Sequence, residues 1–280
     1  MNATGKIIEA RKLIDAARMD GLSIGFVPTM GALHEGHVAL IRRAREENGF
    51  VVVSIFVNPT QFGPNEDLSK YPRTFADDLE KCLASGVDLV FHPDADEMYR
   101  GGSSTSVSVS GITDPMEGSH RPGHFDGVTL VCNKLFNIVG ACRAYFGEKD
   151  AQQLRVVTRM VLDLDLPVEM VPCPTVREAD GLAMSSRNRY LDREQRGRAL
   201  SLITALRSVE EGTANGERSA SVLLERARQL LDADAVDYLE IVDPSTLARV
   251  DVVDGPALVC GAIRLGATRL IDNILVGGKR

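Results

Sequence analysis

The chain has 280 residues, enough to bury one large core or two unequal ones. Its 32 basic and 39 acidic residues give a formal net charge of −7, which argues against nucleic acid or a membrane surface as the main partner. The 5 cysteines include no closely spaced pair, so neither a disulfide framework nor a CxxC metal site is indicated. With no signal-peptide or membrane-spanning pattern, we expect free thiols and a cytoplasmic protein.

The first part of the chain predicts a parallel sheet covered by helices. After a first helix at the N-terminus, apolar runs alternate between strand and helix periodicity. Strands are predicted near residues 23 to 27 and at 50–58, 87–93, 104–111 (an edge strand), 142–147 and 168–176, and helices at 37–47, 74–85, 128–140 and 151–164. This βαβ alternation indicates an α/β, Rossmann-like domain over residues 1–175.

The rest of the chain has a different pattern. Residues 191–212 and 219–234 predict long amphipathic helices. Three apolar runs at 236–244, 256–265 and 268–276 follow and predict the strands of a small sheet. We therefore expect a second, smaller α+β domain over residues 176–280.

Two histidines, His34 and His37, lie in the stretch PTMGALHEGH where the first apolar strand gives way to a helix. In α/β proteins this junction is at the carboxyl end of the sheet, where ligands bind. The helix that follows offers unpaired N–H groups and a positive dipole end. If the helix begins between the two histidines, their side chains share a face. The pattern favours a nucleotide-phosphate site.

Two other interpretations of the histidine pair compete with phosphate binding. A pair at this spacing could hold zinc, but a zinc site needs a third protein ligand, and no obvious close set of cysteines or carboxylates is present. The rings could also be hydrogen-bonded inside a core, although Gly31 and Gly36 beside them are unusual packing material.

The tetrapeptide HEGH resembles the HxGH signature of the nucleotidyltransferase superfamily. Five further blocks (VNPTQFGPNEDLSKYPRT, RPGHFDGV, YFGEKDAQQL, DGLAMSSRNRYL and DYLEIVDP) occur in the order and approximate spacing of the pantothenate synthetase family, and with the first block they span residues 28–243. The resemblance implies ATP-dependent condensation of (R)-pantoate with beta-alanine to pantothenate. It also implies an enzyme-bound pantoyl adenylate and release of AMP and pyrophosphate.

The resemblance also assigns roles to residues. His37 is implied as a proton donor, and His34 and Lys149 as contacts of the phosphates. Serine hydroxyls and the arginine fork in MSSR, residues 184–187, suit phosphate oxygens and resemble a mobile loop of related adenylating enzymes. The implied ATP-binding residues are Met30, Gly31, Ala32, Leu33, His34, Glu35, Gly36, His37, Gly147, Glu148, Lys149, Asp150, Val176, Met184, Ser185, Ser186 and Arg187.

Glutamines are implied at the second substrate. The family places Gln61 and Gln153 on pantoate, with Gln61 also near beta-alanine. A neutral amide holds a carboxylate without withdrawing charge from the oxygen that must attack, as an arginine would. Arg121 is a further candidate for the rim of the site. One departure from the family pattern is Asp126, where a basic or neutral residue is expected, and it affects only the local electrostatics of its loop.

Magnesium is expected as the partner of ATP, with Asp77 and Asp78 as candidate ligands; acids in the first turn of a helix also simply favour its dipole. The family further implies a homodimer and a C-terminal domain that acts as a lid. Two alternative functions remain open. Another HxGH adenylyltransferase would join two phosphates and release no AMP, and a silent nucleotide-binding protein would not turn over.

Overall fold

The structure is a computed structural model that describes residues 1–64, 66–101 and 104–278. Its strands are β1 (Asn2–Thr4), β2 (Ile24–Thr29), β3 (Phe50–Ile55), β4 (Leu89–Phe91), β5 (Cys142–Gly147), β6 (Val168–Cys173), β7 (Ala235–Val242), β8 (Ala257–Leu265) and β9 (Thr268–Val276). Its helices are α1 (Ile7–Met19), α2 (Glu35–Glu47), α3 (Phe75–Ala84), α4 (Ala95–Met98), α5 (Glu117–His120), α6 (His124–Val139), α7 (Ala151–Asp163), α8 (Arg193–Ala214) and α9 (Ala220–Arg228). Asn65, inside the motif at 57–74, and residues 279 and 280 of the predicted C-terminal domain lie outside the described residues.

The chain divides into two compact units. Unit 1 comprises Met1–Thr113, Arg121–Glu148 and Gln153–Pro174, and unit 2 comprises Asp114–His120, Lys149–Gln152 and Thr175–Arg280. The sequence places a single boundary at residue 175. In the structure, two short segments that come earlier in the chain belong to the same unit as the C-terminal residues.

Unit 1 contains a six-stranded sheet in the order β1-β4-β3-β2-β5-β6, in which every neighbouring pair is parallel. From β2 the chain passes to β3 and β4 on one side and then to β5 and β6 on the other, so the topological switch point lies between β2 and β5. Thr29 pairs with Ile55, and the β2–β5 register, continued from Gly25 and Arg143, places Gly147 level with Thr29. Three strand ends therefore reach the same level at the edge where α/β proteins bind ligands. The predicted α/β class is confirmed.

The two faces of this sheet bury separate apolar clusters. Phe26 and its neighbours on alternate strand positions pack with residues of α1, α6 and α7 on one face. Val27 and its equivalents pack with residues of α2 and α3 on the other. Successive strand residues point to opposite faces, so a strand buried on both sides is largely apolar, as the β3 sequence FVVVSI is apart from the buried Ser54.

Two local predictions for unit 1 need correction. The predicted first helix is present as α1, but it begins only at Ile7, because Asn2–Thr4 form β1 beside β4. The described residues 104–111 alternate serine and valine but form no strand. Val107 and Val109 pack against the apolar core, and the Thr129 hydroxyl donates to the Val107 carbonyl at 2.5 Å. One-sided burial, without strand pairing, produces the alternation.

Unit 2 is built from α8 and α9 and an antiparallel sheet in the order β7-β8-β9. The two helices and the sheet share one apolar cluster that includes Leu202, Leu206, Leu223, Leu239 and Ile263. Asp192 caps α8 with Gln195 in a reciprocal capping box. The predicted α+β character of this part of the chain is confirmed.

Close packing beside the strand ends of unit 1 depends on Gly127 in α6. A Cβ at this position would lie 2.3 Å from the carbonyl oxygen of Thr60 and 2.6 Å from the Cα of Gln61, both of them backbone atoms. The Gly127 carbonyl also accepts a hydrogen bond from Asn58 Nδ2 at 3.1 Å. Only glycine allows the helix to approach the Pro59–Gln61 turn this closely.

We predict that Gly127→Ala lowers the free energy of unfolding by about 3 kcal/mol, because the added methyl group must displace backbone. The matched control is Gly197→Ala in α8, where a Cβ meets nothing within 4 Å. That control should stabilise the protein by about 0.5–1 kcal/mol through helix propensity. Denaturant unfolding of the two variants measures both effects, and equal stabilities would contradict the close approach of α6.

Candidate functional site

The segment that joins β2 to α2 makes a left-handed turn. Gly31 and Ala32 have φ angles of +80° and +51°, a region that glycine adopts freely and alanine only with strain. The Asp78 carboxylate accepts hydrogen bonds from the N–H groups of Ala32, at 2.9 Å, and Leu33, at 2.7 Å. Thr29 Oγ1 accepts from the Gly31 N–H at 3.1 Å. Side chains thus bind three successive amides of the turn.

The two histidines cap the helix that follows this turn. His34 is the N-cap residue of α2, and its Nδ1 accepts from the Gly36 N–H at 3.2 Å. His37 Nδ1 accepts from the His34 N–H at 3.3 Å, which completes a reciprocal capping box. The ring centroids are 4.1 Å apart. Because α2 begins at Glu35, two residues before the predicted start and between the two histidines, the condition under which their side chains share a face is met.

Capping determines which ring nitrogen of each histidine can donate. A nitrogen that accepts a hydrogen bond from an N–H group carries no proton, so the neutral rings of His34 and His37 hold their proton on Nε2. Both side chains are half-buried. The same helix end carries the positive end of the helix dipole. Two Nε2–H donors beside a helix N-terminus suit a phosphate group.

The Asp78 side chain is buried against the β2–α2 turn, to which it is hydrogen-bonded. It is 1% exposed, and Thr74 Oγ1 donates to its Oδ1 at 3.3 Å in addition to the two backbone amides. Asp77, by contrast, is exposed on α3. Among residues 1–64, 66–101 and 104–278, no group of three or more His, Cys, Asp or Glu side chains could hold a metal ion. The magnesium role of Asp77 and Asp78 stays a prediction, while the observed contacts of Asp78 hold the turn in place.

Gln61 lies in the short 3-10 helix that follows β3, and it is 8% exposed. Its Oε1 accepts from Asn58 Nδ2 at 3.0 Å, and its Nε2 lies 3.1 Å from Met30 Sδ. Asn58 itself is 1% exposed, and its Oδ1 accepts from the Tyr99 hydroxyl at 2.7 Å. Sequence motifs alone did not indicate Asn58. The available signal was its position as the polar residue that ends the apolar run 50–58, before a proline.

His124, at the start of α6, has the opposite tautomer from the two capping histidines. Its Nδ1 lies 2.9 Å from the carbonyl oxygen of Gln61, which can only accept, so Nδ1 carries the proton. Its Nε2 therefore accepts from Arg121 Nη1 at 3.0 Å. Arg121 also forms a two-bond ion pair with Glu66 at 2.8 and 2.7 Å. Sequence motifs indicated Arg121 as a candidate for the rim of the site and did not indicate His124, which anchors the backbone of Gln61.

Three further residues predicted for the site, Gly147, Glu148 and Gln153, belong to unit 1. Gly147 is the last residue of β5, and Glu148 follows it on the surface. Gln153 is half-buried in the first turn of α7. Asp126, the departure noted in the sequence, is exposed in the first turn of α6, where a carboxylate favours the helix dipole.

Lys149 and Asp150 belong to unit 2. The Lys149 side chain is 19% exposed, and its Nζ lies 3.9 Å from Asp150 Oδ1. Its carbonyl oxygen accepts from Asn273 Nδ2 at 2.8 Å. The backbone of Lys149 is thus tied to β9, in the sheet of unit 2.

The MSSR segment also belongs to unit 2. It follows a small hairpin in which the Met184 N–H donates to the Val176 carbonyl at 3.0 Å. Ser185 Oγ accepts from the Arg187 N–H at 3.2 Å and caps the 3-10 helix Ser186–Tyr190. All five of these residues, Ser186 included, are half-buried. The segment has a defined local fold in which one of its two hydroxyls is already used as a cap.

All five cysteines are free and buried, as expected. Burial raises the pKa of Cys82, Cys132 and Cys142 to about 12 and also raises the pKa of Cys173 and Cys260. Thiols with such pKa values are protonated at neutral pH and are poor nucleophiles. A covalent intermediate on cysteine therefore has no support.

Comparison with known proteins identifies the family. A family model described as Pantoate-beta-alanine ligase matches residues 2–275 of the chain. The chain belongs to this family.

Curated relatives agree with the family model over nearly the whole chain. A pantothenate synthetase from Acidobacterium capsulatum is 57% identical over 258 residues, which cover 91% of this chain and 86% of the relative. Another, from Caldicellulosiruptor saccharolyticus, is 50% identical over 279 residues, which cover 99% of this chain and 99% of the relative.

Solved structures also match. The pantothenate synthetase of Thermus thermophilus superposes with a TM-score of 0.93 at 47% identity, covering 98% of this chain and 99% of that chain. A pantoate-beta-alanine ligase from Francisella tularensis, complexed with beta-gamma ATP and beta-alanine, gives a TM-score of 0.77 at 32% identity. The match covers 98% of this chain and 97% of that chain.

The comparisons confirm the predicted family, the α/β fold class and the assignment to a ligase of pantoate and beta-alanine. The individual site residues, magnesium, the homodimer and the cytoplasmic location stay predictions. In the part of the chain that the structure describes, no helix combines the length and apolar character needed to cross a membrane.

We predict that Asp78→Asn lowers the free energy of unfolding by about 2 kcal/mol and slows turnover, because an amide has one acceptor oxygen for the two turn amides and leaves one of them unpaired. The control is Asp77→Asn, an exposed neighbour in the same helix turn, which should change stability by less than about 0.5 kcal/mol. Thermal unfolding and steady-state rates measure both variants. Native stability of Asp78→Asn with only a higher requirement for magnesium would contradict the tethering role.

Proposed function

We propose that the chain joins pantoate to beta-alanine in two steps, by way of an enzyme-bound pantoyl adenylate. ATP and pantoate would give the adenylate and pyrophosphate, and beta-alanine would then give pantothenate and AMP. The observation that carries this proposal is the pair of Nε2–H donors that His34 and His37 offer at the N-terminus of α2. Donors of this kind stabilise charge that develops on a phosphate during attack at phosphorus.

The ATP-binding residues that we propose are those implied by the family resemblance. They are the turn and helix start at Met30 to His37, Gly147 and Glu148, and Lys149, Asp150, Val176, Met184, Ser185, Ser186 and Arg187. Lys149 and Arg187 supply positive charge, and the hydroxyls and backbone amides supply donors, which is the set that phosphate oxygens require.

Pantoate is proposed to bind Gln61 and Gln153, with Gln61 also near beta-alanine. Amide groups accept and donate hydrogen bonds without carrying charge, so they hold a carboxylate and leave its oxygen electron-rich for attack on the α-phosphorus. Asn58 supports this role, since its amide holds the Gln61 oxygen at 3.0 Å and thereby orients the Gln61 NH₂ group. His124 holds the Gln61 backbone from the other side.

Magnesium is proposed to accompany ATP. The ion keeps several waters and takes one or two carboxylates in addition to substrate phosphates. Asp77 is exposed and suits such a role, whereas both oxygens of Asp78 already accept from the turn. The negative charge of bound ATP and the positive charge of magnesium would partly offset each other in the site. By analogy with the family we also propose a cytoplasmic homodimer.

We predict that enzyme supplied with ATP, magnesium and pantoate alone exchanges labelled pyrophosphate into ATP, because formation of the adenylate needs no amine. His37→Gln should slow this exchange by about a hundredfold, the typical cost of losing one preorganised donor. Glutamine at this position keeps the capping box, so thermal unfolding should remain native. His34→Asn preserves the N-cap in the same way and should also slow the exchange.

Three results would contradict the two-step proposal. Exchange that needs beta-alanine would indicate a concerted reaction or a different order. ADP as the product would indicate an acyl phosphate in place of the adenylate. Label carried by the protein itself would indicate a covalent intermediate. Wild-type exchange by a natively folded His37→Gln variant would remove that residue alone from the chemistry.

A further inference from the structure

Two consecutive polar residues are buried in β9, at the edge of the small sheet of unit 2. Asp272 is 4% exposed and Asn273 is 8% exposed. Neither contributes apolar packing, although the rest of this sheet buries valine, leucine and isoleucine against α8 and α9. Each makes side-chain bonds to a segment that carries residues of the proposed ATP site.

Asn273 holds the backbone of Lys149. Its Nδ2 donates to the Lys149 carbonyl at 2.8 Å. The segment 149–152 is further attached through Gln152, whose Nε2 donates to the Pro115 carbonyl at 2.8 Å. These bonds lie within unit 2 and fix the main chain from which the Lys149 ammonium group extends.

Asp272 holds the hairpin that precedes MSSR. Its carboxylate accepts two hydrogen bonds from Arg177, at 2.6 and 3.0 Å. Arg177 also donates to the carbonyls of Gly181, at the hairpin turn, and Asn273, at 3.1 and 3.3 Å. Because Arg177 and Ala183 form a bridge pair, the guanidinium group ties both arms of the hairpin to β9.

Stability alone gives little reason for these polar residues. Replacing a buried ion pair with apolar residues of similar volume is often neutral or stabilising. A two-bond arginine pair and an amide-to-carbonyl bond instead fix direction and distance. Here they fix the turn of Lys149 and the hairpin before Ser185 to adjacent residues of a single strand.

We propose that Asp272 and Asn273 are positioning residues that set the geometry between Lys149 and the MSSR segment. This inference rests on the proposed roles of Lys149, Ser185 and Arg187 at the phosphates of ATP. The two β9 side chains act through the backbone of Lys149 and through Arg177, and they need no contact with a substrate. Small displacements of groups that serve one transition state reduce the rate without preventing folding.

The test is a double-mutant cycle between Asn273 and Lys149. Asn273→Ala and Asn273→Asp both remove the amide donor, and each should lower kcat about tenfold. The KM for pantoate should not change, because the lost bond is to the backbone of Lys149, which is proposed to contact the phosphates of ATP and not pantoate. In a Lys149→Ala background, Asn273→Ala should cause no further loss, because its effect passes through Lys149. Arg177→Lys, which lacks the two-bond fork, should slow turnover through the second anchor.

The control is Thr213→Val in α8, which removes another buried hydrogen bond of unit 2, from Thr213 Oγ1 to the Val209 carbonyl. It should match the thermal unfolding of Asn273→Ala and keep normal kcat. Wild-type kcat in the Asn273 variants, equal loss in the control, or an additive loss in the Lys149→Ala background would overturn the positioning role and leave the proposed reaction intact. Full activity of Lys149→Ala alone would remove Lys149 from the mechanism, and the inference with it.

Discussion

The N-terminus of an α-helix leaves its first amide N–H groups without partners in the helix, and at α2 side chains satisfy two of them as well as two amides of the preceding turn. Asp78 accepts from Ala32 and Leu33 just before the helix, and the Nδ1 atoms of the two histidines accept from His34 and Gly36. This arrangement also sets the chemistry of the rings. Since each Nδ1 is an acceptor, the proton of each neutral ring is on Nε2. Local folding and the proposed supply of phosphate donors are consequences of the same hydrogen bonds.

The parallel sheet brings the remaining groups of unit 1 to this point. β2 leads into the histidine turn, β3 into Asn58 and Gln61, and β5 ends at Gly147. The register makes these strand ends level, so residues far apart in sequence meet at one edge. The groups differ in charge according to their proposed substrate. Neutral amides are assigned to pantoate, whose carboxylate must remain nucleophilic, while cations and N–H donors are assigned to ATP.

Much of this could be predicted from the sequence. The apolar periodicity located β2, β3, β5 and α2, and the spacing of the histidines placed their rings on one face. Features that depend on long-range contacts could not be predicted. Asp78 was indicated as a candidate magnesium ligand or as an acid that favours the helix dipole, and its bonds to residues 45 and 46 positions away leave no local pattern. Similarly, nothing near Asn273 in sequence indicates its bond to Lys149, 124 residues away.

Very short strands and segments buried on one side only were the other features that the sequence did not predict correctly. β1 has three residues, too few for a strand pattern to be distinguished from the helix that follows it. The serine and valine alternation at 104–111 satisfied the strand pattern because its valines face a core, although the backbone does not pair with another strand. Periodicity reports which side chains are buried, and it does not report where the backbone hydrogen bonds go.

The central claim is that capping bonds hold His34 and His37 in the Nε2–H tautomer. ¹⁵N NMR of the imidazole nitrogens measures this directly, because the unprotonated nitrogen of a neutral ring resonates far downfield of the protonated one. His34→Asn and His37→Gln, which keep the caps, assign the two pairs of signals. Both rings, when neutral, are expected to have an unprotonated Nδ1 and a protonated Nε2, and adding ATP is expected to shift the Nε2 signals most. Protonated Nδ1 in either neutral ring would contradict the claim.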